Sequence, residues 1–258
     1  NRPFKHLKTE IFDRTYEIQF SEIDKIEALI EEIKRLSFIE YVEKKDIFKL
    51  SYTPNDPQLN AQYALSLIDA FNAFDVHKGG NSVIAIVDDA VKITHEDIAP
   101  NVWVNPSEIS GNNIDDDGNG YIDDINGWDV ADNDNNPNPP SSASNSVFSH
   151  GTHCAGITSA ATDNSKGIAS IGFNCKVMAV KASTSSGTAE YIDAGYDGIT
   201  YAMAAGADII SLSWGGGNYS QTAQNIINQA HNLGITICAA AGNYASSQTF
   251  YPAGYNYV

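Results

Sequence analysis

Short apolar runs that alternate with helix-like segments are the feature that most constrains the fold of this chain. The runs are rich in Val, Ile and Ala and cover residues 82–87, 175–180, 208–213 and 235–241. Helical spacing of apolar residues covers 153–161, 192–205 and 221–233. Repeated succession of strand and helix is typical of a parallel sheet with helices on both faces. The sequence therefore predicts a three-layer α/β/α domain.

Charge divides the chain near residue 50. Residues 1–50 hold 10 Lys and Arg against 11 Asp and Glu, whereas residues 51–258 hold 5 against 21. Within the first part, residues 15–20 alternate like a strand, residues 21–36 have helical spacing, and residues 38–50 form a second extended run. We therefore predict a small α+β unit over residues 1–50 and a separate α/β domain over residues 51–258.

The acidic balance restricts the partners of the protein. The formal net charge is −17, and no Lys or Arg occurs between Lys92 and Lys166, a stretch that carries 12 acidic residues. Such a block repels nucleic acid and favours divalent cations. No apolar run approaches the length of about 20 residues that spans a bilayer. Nucleic acid and membrane are therefore not expected partners. Separately, the chain has three cysteines, an odd number that defines no disulfide framework.

An aspartate-rich string lies within the long Gly, Asn, Asp and Pro region of residues 105–149. It reads Asp-Asp-Asp-Gly-Asn-Gly-Tyr-Ile-Asp-Asp from residue 115 to residue 124. Oxygen atoms at alternating positions around a glycine are how a calcium loop begins, although Asn126 stands where such loops usually have Glu. A hydrophilic turn without metal is the alternative. The candidate ligands are Asp115, Asp117, Asn119, the carbonyl of Tyr121, Asp123 and Asp124.

Three motifs suggest acyl-transfer chemistry. Asp88 ends the first apolar run, at the strand end where side chains of a parallel sheet reach a ligand crevice. His150 opens a helix of small residues, and Asn243 follows the last apolar run, where its amide can donate to an oxyanion. Asp88 as a turn cap, Asn243 as a turn residue and zinc bound by His150 and His153 are alternatives. The zinc alternative lacks a third soft ligand and the Glu of a metalloprotease helix.

In this order and with these neighbours, the motifs resemble those of the subtilisin-like serine protease (subtilase) family. The resemblance extends from about residue 52 to residue 258 and includes the strings Gly127-Trp128-Asp129, His150-Gly151-Thr152-His153, Ser211-Leu212-Ser213 and Tyr251-Pro252-Ala253. It implies the subtilisin-like α/β/α fold and a serine endopeptidase that acts on proteins or peptides. Asp88 would orient His150, His150 would act as general base toward a serine, and Asn243 would supply part of the oxyanion hole.

The same resemblance implies substrate-binding residues. Ser213, Trp214 and Gly215 would pair with substrate backbone and line the first specificity pocket together with Ala240 and Gly242. Ser186 and Gly187 would form the opposite edge of the cleft.

The resemblance implies two further candidate calcium sites beside the aspartate-rich loop, and we expect two to three of the three candidates to bind Ca²⁺. One site would contain Asp56, Asp97 and Asn164 with the carbonyls of Ala161, Lys166 and Ile168. The other would contain Asp129, Asp132, Asp134, Asn136 and Asn138.

Residues 1–50 resemble the C-terminal part of an inhibitory and chaperone prodomain. The family implies self-cleavage near residues 50–52, so we expect the protein to be made as a zymogen that its own prodomain inhibits. It also implies a secreted protein, extracellular or in the cell envelope, where calcium is plentiful.

Two departures from the family pattern affect these expectations. Asp88 is followed by Asp89 and Ala90, where the family usually has Thr or Ser and then Gly. Our hypothesis is that a second carboxylate perturbs the pKa of Asp88 or His150 and weakens activity. The nucleophile string Gly-Thr-Ser-Met-Ala does not occur in residues 1–258. We therefore expect this polypeptide not to hydrolyse peptides, and a non-catalytic pseudoprotease or calcium-dependent binding scaffold is the alternative function.

Overall fold

The computed structural model describes residues 14–45, 52–80, 82–144, 147–187, 190–245 and 247–258. The chain divides into two compact units, Asn1–Leu50 and Ser51–Val258. The prodomain role of the first unit stays a prediction. Residues 50 and 51 of the predicted cleavage point lie outside the described residues.

The described part of the first unit contains one regular helix. A 3-10 turn, Ile23–Lys25, leads into helix α1, Ile26–Lys34, as the helical spacing predicts. The strands expected over residues 15–20 and 38–45 are not formed within residues 14–45, and residues 46–50 lie outside the described ranges. No residue of α1 is buried, and its apolar residues Ile26, Leu29, Ile30 and Ile33 are half-buried at most. An ion pair of 2.7 Å between Lys45 and Glu17 links the two segments.

The second unit is built around a parallel sheet. Its strands within the described ranges are β1 Val83–Asp88, β2 Gly127–Asp129, β3 Lys176–Lys181, β4 Ile209–Leu212 and β5 Thr236–Ala239. Their order is β2-β3-β1-β4-β5, and every pairing is parallel. The four predicted apolar runs are thus four of these strands. The three-residue strand β2 was not predicted, because it is too short to show a period of two.

Alternate residues of the central strands face opposite layers, as the strand period requires. On β1, Ala85 and Val87 belong to one hydrophobic cluster, whereas Ile84 and Ile86 belong to the other. The helix His150–Ser159 packs on β1 and β3 through the second cluster, which includes Ala155. These strands are buried on both faces, which explains their continuous apolar sequence.

The helices of the second unit surround the sheet. Their bounds are α2 Tyr63–Leu67, α3 Ala70–Val76, α4 His150–Ser159, α5 Gly195–Ala204 and α6 Gln221–Asn232, with 3-10 turns at Leu59–Ala61 and Ala99–Asn101. Helix α5 contacts β1 and β3, and α6 contacts α5 and β5. The three predicted helices correspond to α4, α5 and α6, so the α/β/α architecture is confirmed.

The connections position the candidate site. The chain leaves β1, forms β2 and crosses by α4 to β3, then crosses by α5 to β4 on the other side of β1. The order in which strands are added therefore reverses around β1, and ligands of such sheets bind at the carboxyl ends of the strands there. Within the described ranges, no helix has both the length and the apolar character needed to cross a membrane.

Candidate active site

Asp88 and His150 meet at the carboxyl end of β1. Asp88 is the last residue of β1 and is 1% exposed, and His150 is the first residue of α4. His150 Nδ1 lies 2.8 Å from Asp88 Oδ1. Because a carboxylate only accepts, Nδ1 carries the proton and Nε2 keeps its lone pair. The imidazole is thus held in the tautomer that can take a proton from a nucleophile.

The pKa of His150 is raised above its ordinary value of 6.5. The main cause is the hydrogen bond to Asp88, burial acts in the opposite direction, and the charges of Asp88 and Asp89 raise the pKa further. The Cys154 Sγ atom lies 4.0 Å from His150 Nδ1. Burial is the main cause that raises the pKa of this thiol to about 11, so it is protonated at neutral pH and is not itself a nucleophile.

Asp89 binds backbone amides on both sides of the site. Its Oδ1 atom accepts from the N–H groups of Ala90 and Gly151, both at 2.7 Å, and its Oδ2 atom accepts from the N–H of His150 at 3.1 Å. Asp89 is 2% exposed, and burial raises its pKa, with the charge of Asp88 adding to the effect. The sequence showed the carboxylate but not these partners, since His150 is 61 positions away.

The predicted substrate-binding residues follow β4. Trp214 Nε1 donates to the carbonyl of Val87 at 2.8 Å, and the ring packs edge-on against Tyr196 with centroids 5.7 Å apart. Gly195 allows this contact, because a Cβ there would lie 2.5 Å from the Trp214 ring. Trp214 is therefore fixed at the carboxyl end of β1, beside the residues that lead to Asp88.

A pocket of about 500 Å³ lies beside the next residues of this segment. Gly242 is among its lining residues, together with Gly216, Thr249 and Phe250, which the sequence did not suggest. Ala240 N–H donates to the Leu212 carbonyl at 2.9 Å, so the β4–β5 pairing continues to the mouth of the pocket. Within the described ranges, no charged side chain lines this pocket.

The other predicted binding residues are exposed. Ser186 and Gly187 lie in an exposed turn, in which the Gly187 N–H donates to the Thr184 carbonyl at 2.9 Å. Asn243 is exposed in the loop after β5. Both segments follow the carboxyl ends of strands β3 and β5, the same edge of the sheet as Asp88.

Asp56 and Asp97 both accept hydrogen bonds from the loop of residues 161–168, and we call these two carboxylates the Asp56–Asp97 cluster. They are 4% and 3% exposed. Asp56 Oδ2 accepts the Asp163 N–H at 2.9 Å, whereas Asp97 accepts Asn164 Nδ2 at 2.8 Å and the Ile168 N–H at 2.9 Å. Within the described ranges, no ion pair joins either carboxylate to a basic group. Buried charge without a counter-charge is costly, so these oxygen donors fit a cation.

The carbonyls predicted for this cluster belong to residues 161–168. The Ala161 N–H donates to the Asp97 carbonyl at 2.7 Å, which holds this loop against Asp97. The Lys166 ammonium pairs with Glu96 at 3.1 Å and not with the two buried aspartates. The structure thus brings the loop and both carboxylates together.

The aspartate-rich loop forms a second carboxylate cluster. Glu108, Asp115 and Asp117 each place one carboxylate oxygen within 4.8 Å of the others. Asp115 also accepts the N–H groups of Gly118 and Gly120, at 2.7 and 2.9 Å. Glu108 was missed from the sequence, because it precedes the aspartate string by seven positions and has no motif spacing. The set of hard oxygen donors fits calcium.

Asp124, Asn119 and Tyr121 are also near this cluster. Asp124 is fully buried and accepts hydrogen bonds from Asn105, Asn119 and Tyr201, at 2.8 to 3.2 Å. Asn119 Oδ1 accepts the Tyr121 N–H at 2.8 Å. Burial raises the pKa of Asp124, against the effect of these hydrogen bonds. Asp124 therefore anchors the loop to α5 through Tyr201.

Asp123 has a different environment from the one predicted. Its Oδ1 atom accepts the N–H groups of Gly111 and Asn112, and its Oδ2 atom accepts that of Asn113, at 2.7 to 3.2 Å. Its carboxylate is thus engaged by the preceding turn and is not among the three that cluster.

The site predicted around Asp129 and Asp132 already contains a cation from the chain itself. The Lys181 ammonium lies 2.5 Å from Asp129 Oδ2 and 2.9 Å from Asp132 Oδ2, and Lys181 is fully buried. Two carboxylates and one ammonium leave little charge for calcium to balance. Lys181 therefore balances part of the charge of Asp129 and Asp132, and the calcium site expected there stays a prediction.

The remaining members of that predicted site bind one another or the backbone. Asp134 Oδ1 accepts the Asn136 N–H at 2.9 Å, Asn136 Oδ1 accepts from Asn138 Nδ2 at 2.8 Å, and Asn138 Oδ1 accepts the Ile93 N–H at 3.1 Å. They form a chain of contacts along the loop.

Fold and site define a class: a doubly wound α/β domain with a carboxylate-oriented histidine at the carboxyl edge of its sheet. The profile of the Subtilase family matches residues 79–258, and the chain belongs to that family. It is 37% identical over 206 residues to "Thermitase" of Thermoactinomyces vulgaris, which covers 80% of this chain and 63% of the relative. It is 34% identical over 238 residues to "Thermophilic serine proteinase" of Bacillus sp. (strain AK1), covering 92% of this chain and 52% of the relative.

A solved structure supports the same assignment. A chain described as a protease from Pseudoalteromonas arctica superposes with a TM-score of 0.60 at 27% identity, covering 80% of this chain and 64% of that one. "Halolysin" of Haloferax mediterranei is 36% identical and covers 89% of this chain and 40% of the relative. The chain thus spans between 40% and 64% of the length of these proteins.

Proposed function

We propose that the protein is a calcium-stabilised serine endopeptidase that cleaves proteins or peptides. The observation that carries this proposal is the 2.8 Å contact of His150 Nδ1 with the buried Asp88 in a chain of the Subtilase family. His150 Nε2 takes the proton of a serine hydroxyl as the oxygen attacks the scissile carbonyl, and later gives it to the leaving amine. Asp88 stabilises the imidazolium that forms between these steps.

Substrate binding follows from the sheet edge. Backbone atoms of residues 213–215 pair with an extended substrate, residues 186–187 bind it from the other side, and the pocket beside Gly242 receives one side chain. Asn243 donates to the developing oxyanion, an interaction whose loss costs about 100-fold to 1000-fold in rate in related enzymes.

The 258-residue sequence has no Gly-Thr-Ser-Met-Ala string, and we propose that these residues alone do not hydrolyse peptides.

Calcium has two sites in this proposal. The Asp56–Asp97 cluster with Asn164 and the carbonyls of residues 161–168 forms one, and Glu108, Asp115 and Asp117 form the other. Bound calcium supplies positive charge that offsets the buried carboxylates and ties the loops to the domain. It takes no part in the chemical step.

The first unit acts as an intramolecular inhibitor until it is cleaved off, and the mature enzyme works outside the cytoplasm. The names of two relatives support this location: "Halolysin-like extracellular serine protease Nep" of Natrialba magadii and "Extracellular protease" of Xanthomonas campestris.

The test is peptide hydrolysis by the full protein and by two histidine variants. His150→Ala should lower kcat on the order of 10⁶-fold, the size found when a triad histidine is removed from a related enzyme. His153→Ala, one turn along the same exposed side of α4, should retain activity. Because the base must be unprotonated and its pKa is raised, kcat/KM should reach half its maximum above pH 6.5. Equal activity of both variants, or an inactive full protein, would refute the proposal in favour of a non-catalytic scaffold.

A further inference from the structure

The N-terminus of α4 is held from outside the helix. Ser149 is the N-cap residue, and its side chain makes no capping hydrogen bond. The first N–H groups of a helix need acceptors, and those of His150 and Gly151 find them on Asp89. A carboxylate at this end is also favoured by the helix dipole.

The same two consecutive aspartates hold the backbone and the ring of His150. Asp88 Oδ1 accepts from His150 Nδ1 and from the Asp89 N–H, each at 2.8 Å. Asp89 in turn accepts the His150 backbone N–H. The distance between helix and strand is fixed closely, because a Cβ on Gly151 would lie 2.5 Å from the Ala90 carbonyl oxygen and 2.7 Å from Asp88 Cβ.

No basic side chain offsets Asp89 within the described ranges. Its charge is balanced by three N–H donors and by the helix end, and hydrogen bonds to an ionised acceptor are about twice as strong as neutral ones. Threonine or serine, which the family usually has here, offers one hydroxyl oxygen and cannot accept from all three amides. The arrangement therefore depends on a carboxylate.

We propose that Asp89 is a positioning residue, whose carboxylate holds the first turn of α4 so that His150 keeps its hydrogen bond to Asp88. This inference rests on the proposed function, and it reverses the hypothesis that Asp89 weakens activity. The titratable groups that face His150 are Asp88, Asp89 and the Cys154 thiol.

The test uses NMR of this chain. Two quantities are measured: the signal of the His150 Nδ1–H proton, and the pKa of His150 from a pH titration. Asp89→Thr should broaden or remove the Nδ1–H signal, because the ring loses its fixed distance to Asp88, and should lower the pKa of His150. Asp89→Asn keeps the side-chain shape and serves where the Thr variant does not fold. The NH₂ group of the new Asn side chain would face the His150 backbone N–H, and two donors cannot form a hydrogen bond. The same loss of signal is therefore expected.

Asn101→Ala is the matched control. Asn101 is buried and donates to the carbonyls of Ser159 and Phe173, at 3.1 and 2.9 Å, at the opposite end of α4. Its removal should lower the melting temperature and leave the His150 signal unchanged. An unchanged Nδ1–H signal in the folded Asp89 variant would overturn the proposal, because a purely structural cap predicts lower stability alone.

Activity separates this inference from the proposed function. In the full protein, Asp89→Thr should lower kcat on the order of 100-fold with little change in KM, the cost of displacing a catalytic group by about 1 Å. If the unmodified full protein does not hydrolyse peptides, the proposed function fails, while the NMR result still decides the role of Asp89.

Discussion

The Asp56–Asp97 cluster and the Asp129–Asp132 pair were both predicted to bind calcium, but within the described ranges a basic side chain contacts only the second. Both are buried or partly buried carboxylates beside loops rich in Asn and Asp. Lys181 provides an ammonium to the second pair, whereas no ion pair reaches the first within the described ranges. Acidic density therefore does not by itself indicate a metal site, since a distant residue of the chain can supply the cation.

The two sets of carboxylates also hold different loops in place. Asp132 accepts the Ser185 N–H at 2.8 Å, so the Lys181 network reaches the turn of residues 184–187 beside the proposed cleft. The Asp56–Asp97 cluster holds residues 161–168 and, through Asp56, the segment that precedes α2. We expect the region held by Lys181 to depend less on an external ion than the Asp56–Asp97 cluster does.

Lys181→Met is the change with the largest expected effect. It leaves the buried Asp129 and the nearby Asp132 without a counter-charge, and breaking a buried pair in this way typically costs about 3–5 kcal/mol. The free energy of unfolding from denaturant titration should fall by that amount. Lys176→Met is the matched control, because Lys176 lies on the same strand and donates to Pro100 and Asn101, not to a carboxylate. Equal stability of both variants would contradict the internal-cation interpretation.

Calcium removal should destabilise the protein through the Asp56–Asp97 cluster. An ion present at 100 times its Kd stabilises by about 2.7 kcal/mol, so a chelator should lower Tm accordingly. Asp97→Asn should remove most of this response, since one buried carboxylate of the site is lost. The exposed Asp208, which accepts the Val83 N–H at 2.8 Å, provides the control Asp208→Asn, in which the response should persist. A chelator without effect on the unmodified protein would show that no stabilising ion binds.

The sequence predicted the parts of the molecule that depend on local patterns. The apolar runs of β1, β3, β4 and β5 and the helical spacing of α4 to α6 identified the layers, because burial on one or two faces leaves a readable period. The end of β1 and the start of α4 likewise placed Asp88 and His150 at one edge. In the first unit, the sequence pattern predicted strands that the described residues do not form. No residue of α1 is buried there, so local pattern has little packing to act through.

The roles of Asp89, Glu108 and Lys181 could not be predicted, because each depends on a partner that only the fold brings near. Lys181 lies 52 positions from Asp129 and ends an apolar strand, where a lysine suggests a solvated end and not a buried one. Side-chain direction decides whether a carboxylate meets an amide, an ammonium or a metal. The spacing of residues in the sequence does not give that direction.

Glu108→Gln should have a smaller effect, confined to the aspartate-rich loop. The change removes one of three clustered carboxylates, so calorimetric titration of the calcium-free protein should show one ion fewer or a weaker second binding event. Asp116→Asn is the control from the same loop, because Asp116 accepts from Ile109 and Asn112 and is not in the cluster. If Glu108→Gln leaves calcium binding unchanged, the cluster of Glu108, Asp115 and Asp117 is not a calcium site.

Acid titration should give the smallest effect, at the Asp129–Asp132 pair. Hydrogen bonds from Ser185 and Lys181 lower the pKa of Asp132 to about 2, whereas burial raises that of Asp129. The folded-state pKa of Asp132 is below its unfolded value of about 3.9. Its contribution to stability is therefore complete above about pH 4 and lost as the pH falls toward 2. The difference in unfolding free energy between the unmodified protein and Asp132→Asn should shrink across that window, because Asp129 affects both alike. A constant difference from about pH 5 to about pH 2 would show that Lys181 is neutralised by Asp129 alone.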